Sequence, residues 1–390
     1  MIVTLTLNPS LDLTYLLAET AVGQVEVHRA TTATIEASGK GVNVSRALHA
    51  NGRRTVAVLP LGGTTGHHLA ELLGTDGVPF RSTTQRSDTR INTTLAVDGG
   101  HTAKVNGPGG HLTDADLAAL KREVDAALRD AATADSDQGA PGAGGDQGAP
   151  GAGGDQGAPG ADSDQGAPGA GGDQGAPGAG GDQGAPGAGG DQELWLAVCG
   201  SLPPGVDPAV VGEFVTLAHA RGARCAIDAS GPALAAAISA GADLLAPNRL
   251  ELAEVAVAAT AAQTVHDLAS VALDVAAATG AALLVSLGKD GALFTDGTVV
   301  IHGHGPALTP VNTAGAGDAL LAGWLAGASA PADRMQRAIR WGRAACLSST
   351  TVAGPVSDLP HPSALSDPAD RFTTVEIDTI RPHPAGGNRA

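Results

Sequence analysis

Aromatic residues are nearly missing from this 390-residue chain: Phe, Trp and Tyr make up 2 % of it, although 43 % is apolar. A core without rings must be filled by Val, Leu, Ile and Ala, which suits parallel strands buried on both faces under Ala-rich helices. Cysteine is scarce too. Cys199, Cys225 and Cys346 lie far apart in apolar surroundings. They have neither metal-ligand spacing nor the density of a disulfide-stapled fold, so they predict buried free thiols in a reducing cytoplasm. No apolar run reaches the roughly 20 residues of a membrane span. Met1 to Leu7 lacks a basic flank and breaks at Asn8-Pro9, so neither export nor membrane insertion is expected.

Positive charge is also short. The 23 Lys and Arg face 40 Asp and Glu, for a net −17. Nine of the acids (Asp135, Asp137, Asp146, Asp155, Asp162, Asp164, Asp173, Asp182 and Asp191) share one tract without Lys or Arg, and without them the balance is about −8. The basic stripe that nucleic acid requires is absent, whereas a few local cations suffice for a small phosphorylated ligand.

That tract repeats Asp-Gln-Gly-Ala-Pro-Gly-Ala-Gly-Gly from Asp137 to Gln192, with Gly at every third position except Ser163. The period is that of collagen, but only one triplet in three carries Pro, and a triple helix would thread three chains through the middle of a folded domain. A flexible, disordered insertion over 133–192 is expected, within a single domain formed by 1–132 and 193–385 and followed by a 386–390 tail. A trimerising stalk is the alternative. Loop closure costs grow slowly with length, so the flanking fold should tolerate the insertion.

Short β-branched runs alternate with longer Ala/Leu-rich segments. Ile2 to Leu7, Thr55 to Leu59, Leu194 to Val198, Arg224 to Ile227, Asp243 to Leu245 and Ala282 to Ser286 read as strands. Val42 to Asn51, Thr113 to Ala132, Pro208 to Arg221, Gln263 to Thr279 and Gly317 to Ala328 read as helices. The sum is an α/β, doubly wound, mostly parallel sheet flanked by helices. Leu11 to Glu36 and Arg90 to Asn106, with a Gly99-Gly100 turn and no following helix, break the rhythm. They predict a small antiparallel β lid over about 11–36 and 88–107, or else edge strands of the main sheet.

Two glycine clusters open helices. Asn312 to Gly323 contains Gly315-Ala316-Gly317-Asp318: small residues let a ligand approach the freed amides at a helix N-terminus, and a carboxylate in the first turn can accept a proton from an attacking hydroxyl. The plainer reading is a capped helix whose Asp318 complements the dipole. Ser38-Gly39-Lys40-Gly41-Val42-Asn43-Val44-Ser45-Arg46 carries Lys40 and Arg46 but lacks the spacing of a P-loop; Lys40 and Asn43 can hold a phosphate and sugar hydroxyls, or the segment is an Asn-bearing helix start with solvated cations.

Together these elements resemble the phosphofructokinase-B branch of the ribokinase family over nearly all the chain outside the insertion. Thr6 to Asp12 is similar to its opening strand, Gly39 to Val44 to its first signature and Gly315 to Asp318 to its second. Gly200 to Gly205, Pro247-Asn248-Arg249-Leu250-Glu251 and Ser286 to Ala292 resemble three further blocks in the same order. The resemblance implies a ribokinase-like kinase with Asp318 as catalytic base and Gly315, Ala316 and Gly317 as anion hole. It implies Asp12, Gly39, Lys40, Asn43, Arg90 and Lys104 for the phosphorylated sugar, with Lys40, Arg90 and Lys104 as one cationic cluster. Asn248, Glu251, Ser286 and Gly288 would serve ATP, and Asn248 and Glu251 would organise Mg²⁺ through water, although both also suit a helix cap. A homodimer through the lid is implied as well. Ala246 stands where many relatives have Lys, and Asn312 where ribokinases often have Asp. The Gly39-Lys40-Gly41 form is closer to 1-phosphofructokinases and tagatose-6-phosphate kinases than to 6-phosphofructokinases, which favours fructose 1-phosphate as acceptor. 6-Phosphofructokinase and tagatose-6-phosphate kinase activity remain alternatives, as does a non-catalytic sugar-phosphate sensor. His67 and His68 read as surface residues.

Overall fold

The computed structural model describes residues 1–17, 27–97, 102–136, 193–348, 350–352, 354–356 and 376–380. The first part runs Ile2–Thr6 (β1), Ser10–Leu17 (β2), Ala30–Ser38 (β3), Lys40–Ala50 (α1), Thr55–Leu61 (β4), Gly63–Thr75 (α2) and Phe80–Thr84 (β5). Arg90–Val97 (β6), Thr102–Asn106 (β7), Asp114–Ser136 (α3), Trp195–Cys199 (β8), Ala209–Ala220 (α4), Arg224–Asp228 (β9) and Gly231–Ser239 (α5) follow. Next come Leu244–Leu245 (β10), Arg249–Val255 (α6), Ala258–Ala261 (α7), Val265–Thr279 (α8), Ala282–Ser286 (β11) and Ala292–Thr295 (β12). The last elements are Val300–His304 (β13), Ala316–Leu325 (α9), Pro331–Leu347 (α10) and Glu376–Ile380 (β14).

Among the described residues the main sheet has the order β14-β13-β12-β11-β10-β9-β8-β1-β4-β5. It is parallel from β11 to β5 and antiparallel from β11 to β14. The strand order explains the composition: β1 and β8 lie inside the sheet and are buried at every residue; β8 is apolar on both faces, whereas one face of β1 also carries Thr4, hydrogen-bonded to Ser45 at 2.8 Å, and Thr6. Alternation distributes their side chains. Val3, Leu5, Leu196 and Val198 pack with Leu120 and Leu128 of α3, Phe214 of α4 and Leu268 of α8. Trp195 and Ala197 join Leu48 of α1, Trp324 of α9 and Met335 and Ile339 of α10 on the opposite side. Helices therefore cover both faces, and every parallel strand delivers its C-terminal end to one rim.

The elements expected from periodicity are present with small shifts at their ends. The sequence reading did not name β5, β12–β14, α2, α5, α7 and α10, and of α6 it named only the cap at Asn248 and Glu251. Phe80–Thr84 is a partly exposed edge strand without alternation, and α10 carries four arginines between its apolar positions. The small second sheet runs β3-β2-β6-β7. It consists of two antiparallel pairs, β2/β3 and β6/β7, joined by a parallel β2/β6 pairing. The Gly99-Gly100 turn, the repeat over 137–192 and the 386–390 tail lie outside the described residues. Cys199 and Cys225 are buried free thiols, but Cys346, near the end of α10, is only half-buried, which corrects that expectation. No helix among the described residues is long and apolar enough to cross a membrane.

Candidate active site

The two glycine clusters meet at the C-terminal rim of the sheet. Gly39, before α1, has φ +123° and stands where a Cβ would lie 2.8 Å from Thr6 Cγ2 of β1, so only glycine lets α1 start this close to the strand. One turn on, Asn43 is buried and its Nδ2 donates to Asp318 Oδ2 at 2.7 Å. Gly315, at φ +76°, precedes the first turn of α9, and a Cβ on it would strike the Thr351 carbonyl oxygen. At Gly317 a Cβ would meet nothing within 4 Å, so the N-terminus of α9 opens onto free space.

Asp318 is 7 % exposed. Burial, and then the charge of Asp228, push its carboxyl up to about 7, while the Asn43 hydrogen bond and Lys40 pull it back. Asp228, the last residue of β9, is itself buried. It accepts a 2.7 Å hydrogen bond from Lys40 Nζ, which also lies 3.8 Å from Glu251 Oε1. Burial pulls the Lys40 pKa down, but Asp228, Glu251 and Asp318 outweigh it, and the net shift is upward. These groups line a cavity of about 250 Å³ with Ala246, Asn248, Ser286, Gly315 and Gly317.

Asn248 and Glu251 form a reciprocal cap at α6. Asn248 Oδ1 accepts from the Leu250 and Glu251 amides at 2.8 and 3.0 Å, and Glu251 Oε2 accepts from the Asn248 amide at 2.8 Å. The cap leaves Glu251 Oε1 on the side of Lys40. Ser286, at the end of β11, bridges to Asn248. Gly288 begins a short turn at φ +62° and does not line the cavity.

The second sheet supplies a separate polar group. Asp12 accepts from Ser10 and Ser38 hydroxyls at 2.8 Å each and from Asn92 Nδ2 at 3.0 Å. Arg90 Nη1 donates to the Gly107 carbonyl at 3.2 Å. Burial lowers its pKa and the charge of Asp12 opposes the shift. Lys104 lies on β7 in register with Thr94 and is exposed. Of the three expected phosphate cations, Lys40 pairs with the buried Asp228 at the main-sheet rim, and Arg90 and Lys104 stand on the lid strands β6 and β7. His67 pairs with Glu71 on the surface of α2, and His68 is half-buried.

Sequence reasoning missed Asp228, Ser10, Ser38 and Asn92. Asp228 had one signal, a lone acid ending the apolar run Cys225-Ala226-Ile227. The other three are ordinary polar strand residues until Asp12 gathers them.

A mostly parallel sheet with a glycine-lined helix N-terminus, a buried carboxylate and a polar-faced small sheet at its rim defines the ribokinase-like class of α/β kinases. The model of the pfkB family carbohydrate kinases matches residues 5–134 and 191–362, and the chain belongs to that family. It is similar to the 1-phosphofructokinase of Rhodobacter capsulatus, at 36 % identity over 48 % of this chain and 57 % of that protein. That alignment spans little more than half the relative's length. It is also similar to the ATP-dependent 6-phosphofructokinase isozyme 2 of Escherichia coli, at 27 % identity over 82 % of this chain and 83 % of the relative. The crystal structure of phosphofructokinase-2 from E. coli in complex with potassium superposes with TM-score 0.68 at 25 % identity, covering 92 % of this chain and 96 % of that one.

Proposed function

We propose that this chain is an ATP-dependent kinase of a ketohexose phosphate, converting fructose 1-phosphate to fructose 1,6-bisphosphate. The observation that carries the reading is the buried Asp318–Asn43 pair at the open N-terminus of α9. A carboxylate with a pKa raised to about 7 is matched to accept a hydroxyl proton at neutral pH. We assign the amides of Gly315, Ala316 and Gly317 to the transferring phosphoryl; the Ala316 N–H donates to the Thr313 carbonyl at 3.4 Å and exchanges that bond for the ligand's. The glycines keep the space beside Asp318 clear, and Lys40 supplies the nearby positive charge. Asp12, Gly39 and Asn43 hold the sugar, and Arg90 and Lys104 meet its existing phosphate. Ser286 and Gly288 border the nucleotide.

Among the described residues no group of three or more His, Cys, Asp or Glu is placed to hold a metal directly. Glu251 Oε1 nevertheless faces the cavity as a hard oxygen donor beside Asn248, which suits Mg²⁺ held through water. The ion neutralises phosphate charge when bound with ATP. The protein's own share is orientation, exclusion of water and transfer of the proton to Asp318 Oδ. Ala246 leaves the nucleotide phosphates without a cation at that position.

The acceptor assignment rests on the Gly39-Lys40-Gly41 signature, since 1-phosphofructokinases and 6-phosphofructokinases both match the chain and identity does not separate them. A dimer through the small sheet is part of the proposal. In cross-strand register, Leu13 faces Ile35 and Thr93, and Thr93 faces Val105. Ile35, Ile91 and Val105 are 46, 44 and 65 % exposed, an apolar face opposite the one bearing Asp12 and Asn92. Three free thiols suit action in the cytoplasm.

The test is ADP release with Mg-ATP and, in turn, fructose 1-phosphate, fructose 6-phosphate, tagatose 6-phosphate and free fructose. Fructose 1-phosphate should lead in kcat/KM by orders of magnitude. A lead by another phosphosugar moves the substrate assignment only, and no turnover of any supports the sensor alternative.

A further inference from the structure

Two buried polar atoms on β6 have no hydrogen-bond partner among the described residues: Arg90 Nε, a donor, and Asn92 Oδ1, an acceptor. The orientation of the Asn92 amide is dictated by its neighbours. Its other end lies 3.0 Å from Asp12 Oδ1 and 2.9 Å from Ser10 Oγ. Asp12 can only accept, and the Ser10 hydroxyl is spent as donor to Asp12, so the NH₂ must point there. Oδ1 is thereby left without a donor. Leaving a buried acceptor bare is costly, and such a group in a native fold calls for an explanation.

Residues two apart on a strand emerge on the same face, roughly 7 Å apart. That face bears Asp12, whose charge is felt by both Arg90 and Asp318. We infer that Asn92 is a specificity-determining residue whose Oδ1 accepts a hydrogen bond from one non-reacting hydroxyl of the sugar, while Arg90 Nε holds its phosphate. A fixed donor and a fixed acceptor on one strand act as a gauge of the distance between phosphate and hydroxyl. The inference rests on the phosphosugar-kinase reading above and assigns Asn92 a part in it.

The experiment compares fructose 1-phosphate with analogues deoxygenated one at a time at carbons that neither carry nor receive phosphate. Wild type and Asn92→Ala are measured with both KM values and the melting temperature. Wild type should reject one analogue by about 10²-fold or more, as sites that bond a hydroxyl do. Asn92→Ala should lose about 10–100-fold in kcat/KM on the full substrate and little on that analogue, with KM for ATP unchanged. Equal losses on every analogue would overturn the inference and reduce Asn92 to a prop for Asp12. If the variant does not fold, wild type alone decides: no analogue disfavoured by more than a few-fold overturns the inference. A wild type that phosphorylates fructose 6-phosphate instead is tested with the corresponding analogues, and one that phosphorylates no ketohexose phosphate removes the functional reading and this inference together.

Discussion

Asp318 sits between opposing neighbours: burial and Asp228 favour its neutral form, Asn43 and Lys40 its charged form. As a base it works only when ionised, so kcat/KM should fall about tenfold per pH unit below pH 7. A flat profile from pH 5 to 8 would refute the assignment. Asn43→Ala removes a hydrogen bond that lowers this pKa and should move the acid limb to higher pH. Asp318→Asn should lose roughly 10²–10⁴-fold in kcat while acceptor binding, followed by calorimetry, persists. The raised folded-state pKa also sets the sign of a stability effect. The native state holds the proton more tightly than the unfolded chain, so the contribution is full below about pH 4 and is lost as pH rises through about 7. Asp318→Asn should therefore melt several degrees above wild type at pH 8, the gap closing toward pH 5.

At the scale of the element, the first turn of α9 depends on two glycines for different reasons. Gly315 is left-handed and abuts Thr351. Gly315→Ala should destabilise the protein by more than about 1 kcal/mol, read as a lower denaturation midpoint. Gly317 faces open space, so Gly317→Ala should leave the melting temperature unchanged or slightly raised yet cut kcat at least tenfold, because the methyl occupies the anion's place. Equal effects of the two substitutions on stability would contradict the anion-hole reading. The capping box at α6 makes the same distinction at Asn248: Asn248→Ala should cost about 1 kcal/mol from the cap alone, with any larger rise in KM for ATP measuring its part in the nucleotide site.

For the whole molecule, α3 ends at Ser136 and β8 begins at Trp195, with the repeat between them. Replacing residues 137–192 by a short Gly/Ser linker should preserve kcat and melting temperature, and sedimentation should report the proposed dimer for both forms; a loss of activity would give the repeat a role in the fold. Val105→Asp on the exposed face of the small sheet should shift that dimer toward monomer. Much of this architecture was legible in the chain. Parallel strands buried on both faces are runs of apolar and β-branched residues, so Ile2–Thr6, Trp195–Cys199 and Ala282–Ser286 stood out. The glycine clusters marked both helix starts because close approach to a ligand or strand demands small residues there. Edge strands such as Phe80–Thr84, where half the side chains meet water, left no comparable trace. Sequence alone determined the fold class and marked Asp318 and the glycines beside it as the candidate base and anion site, since small residues running into a helix with an acid in its first turn form a local pattern. Only the tertiary structure decided that Asp228 faces Lys40 from 188 residues away and that Asn92 joins Asp12. Long-range electrostatic pairing depends on which strand ends become neighbours, and no local pattern encodes that.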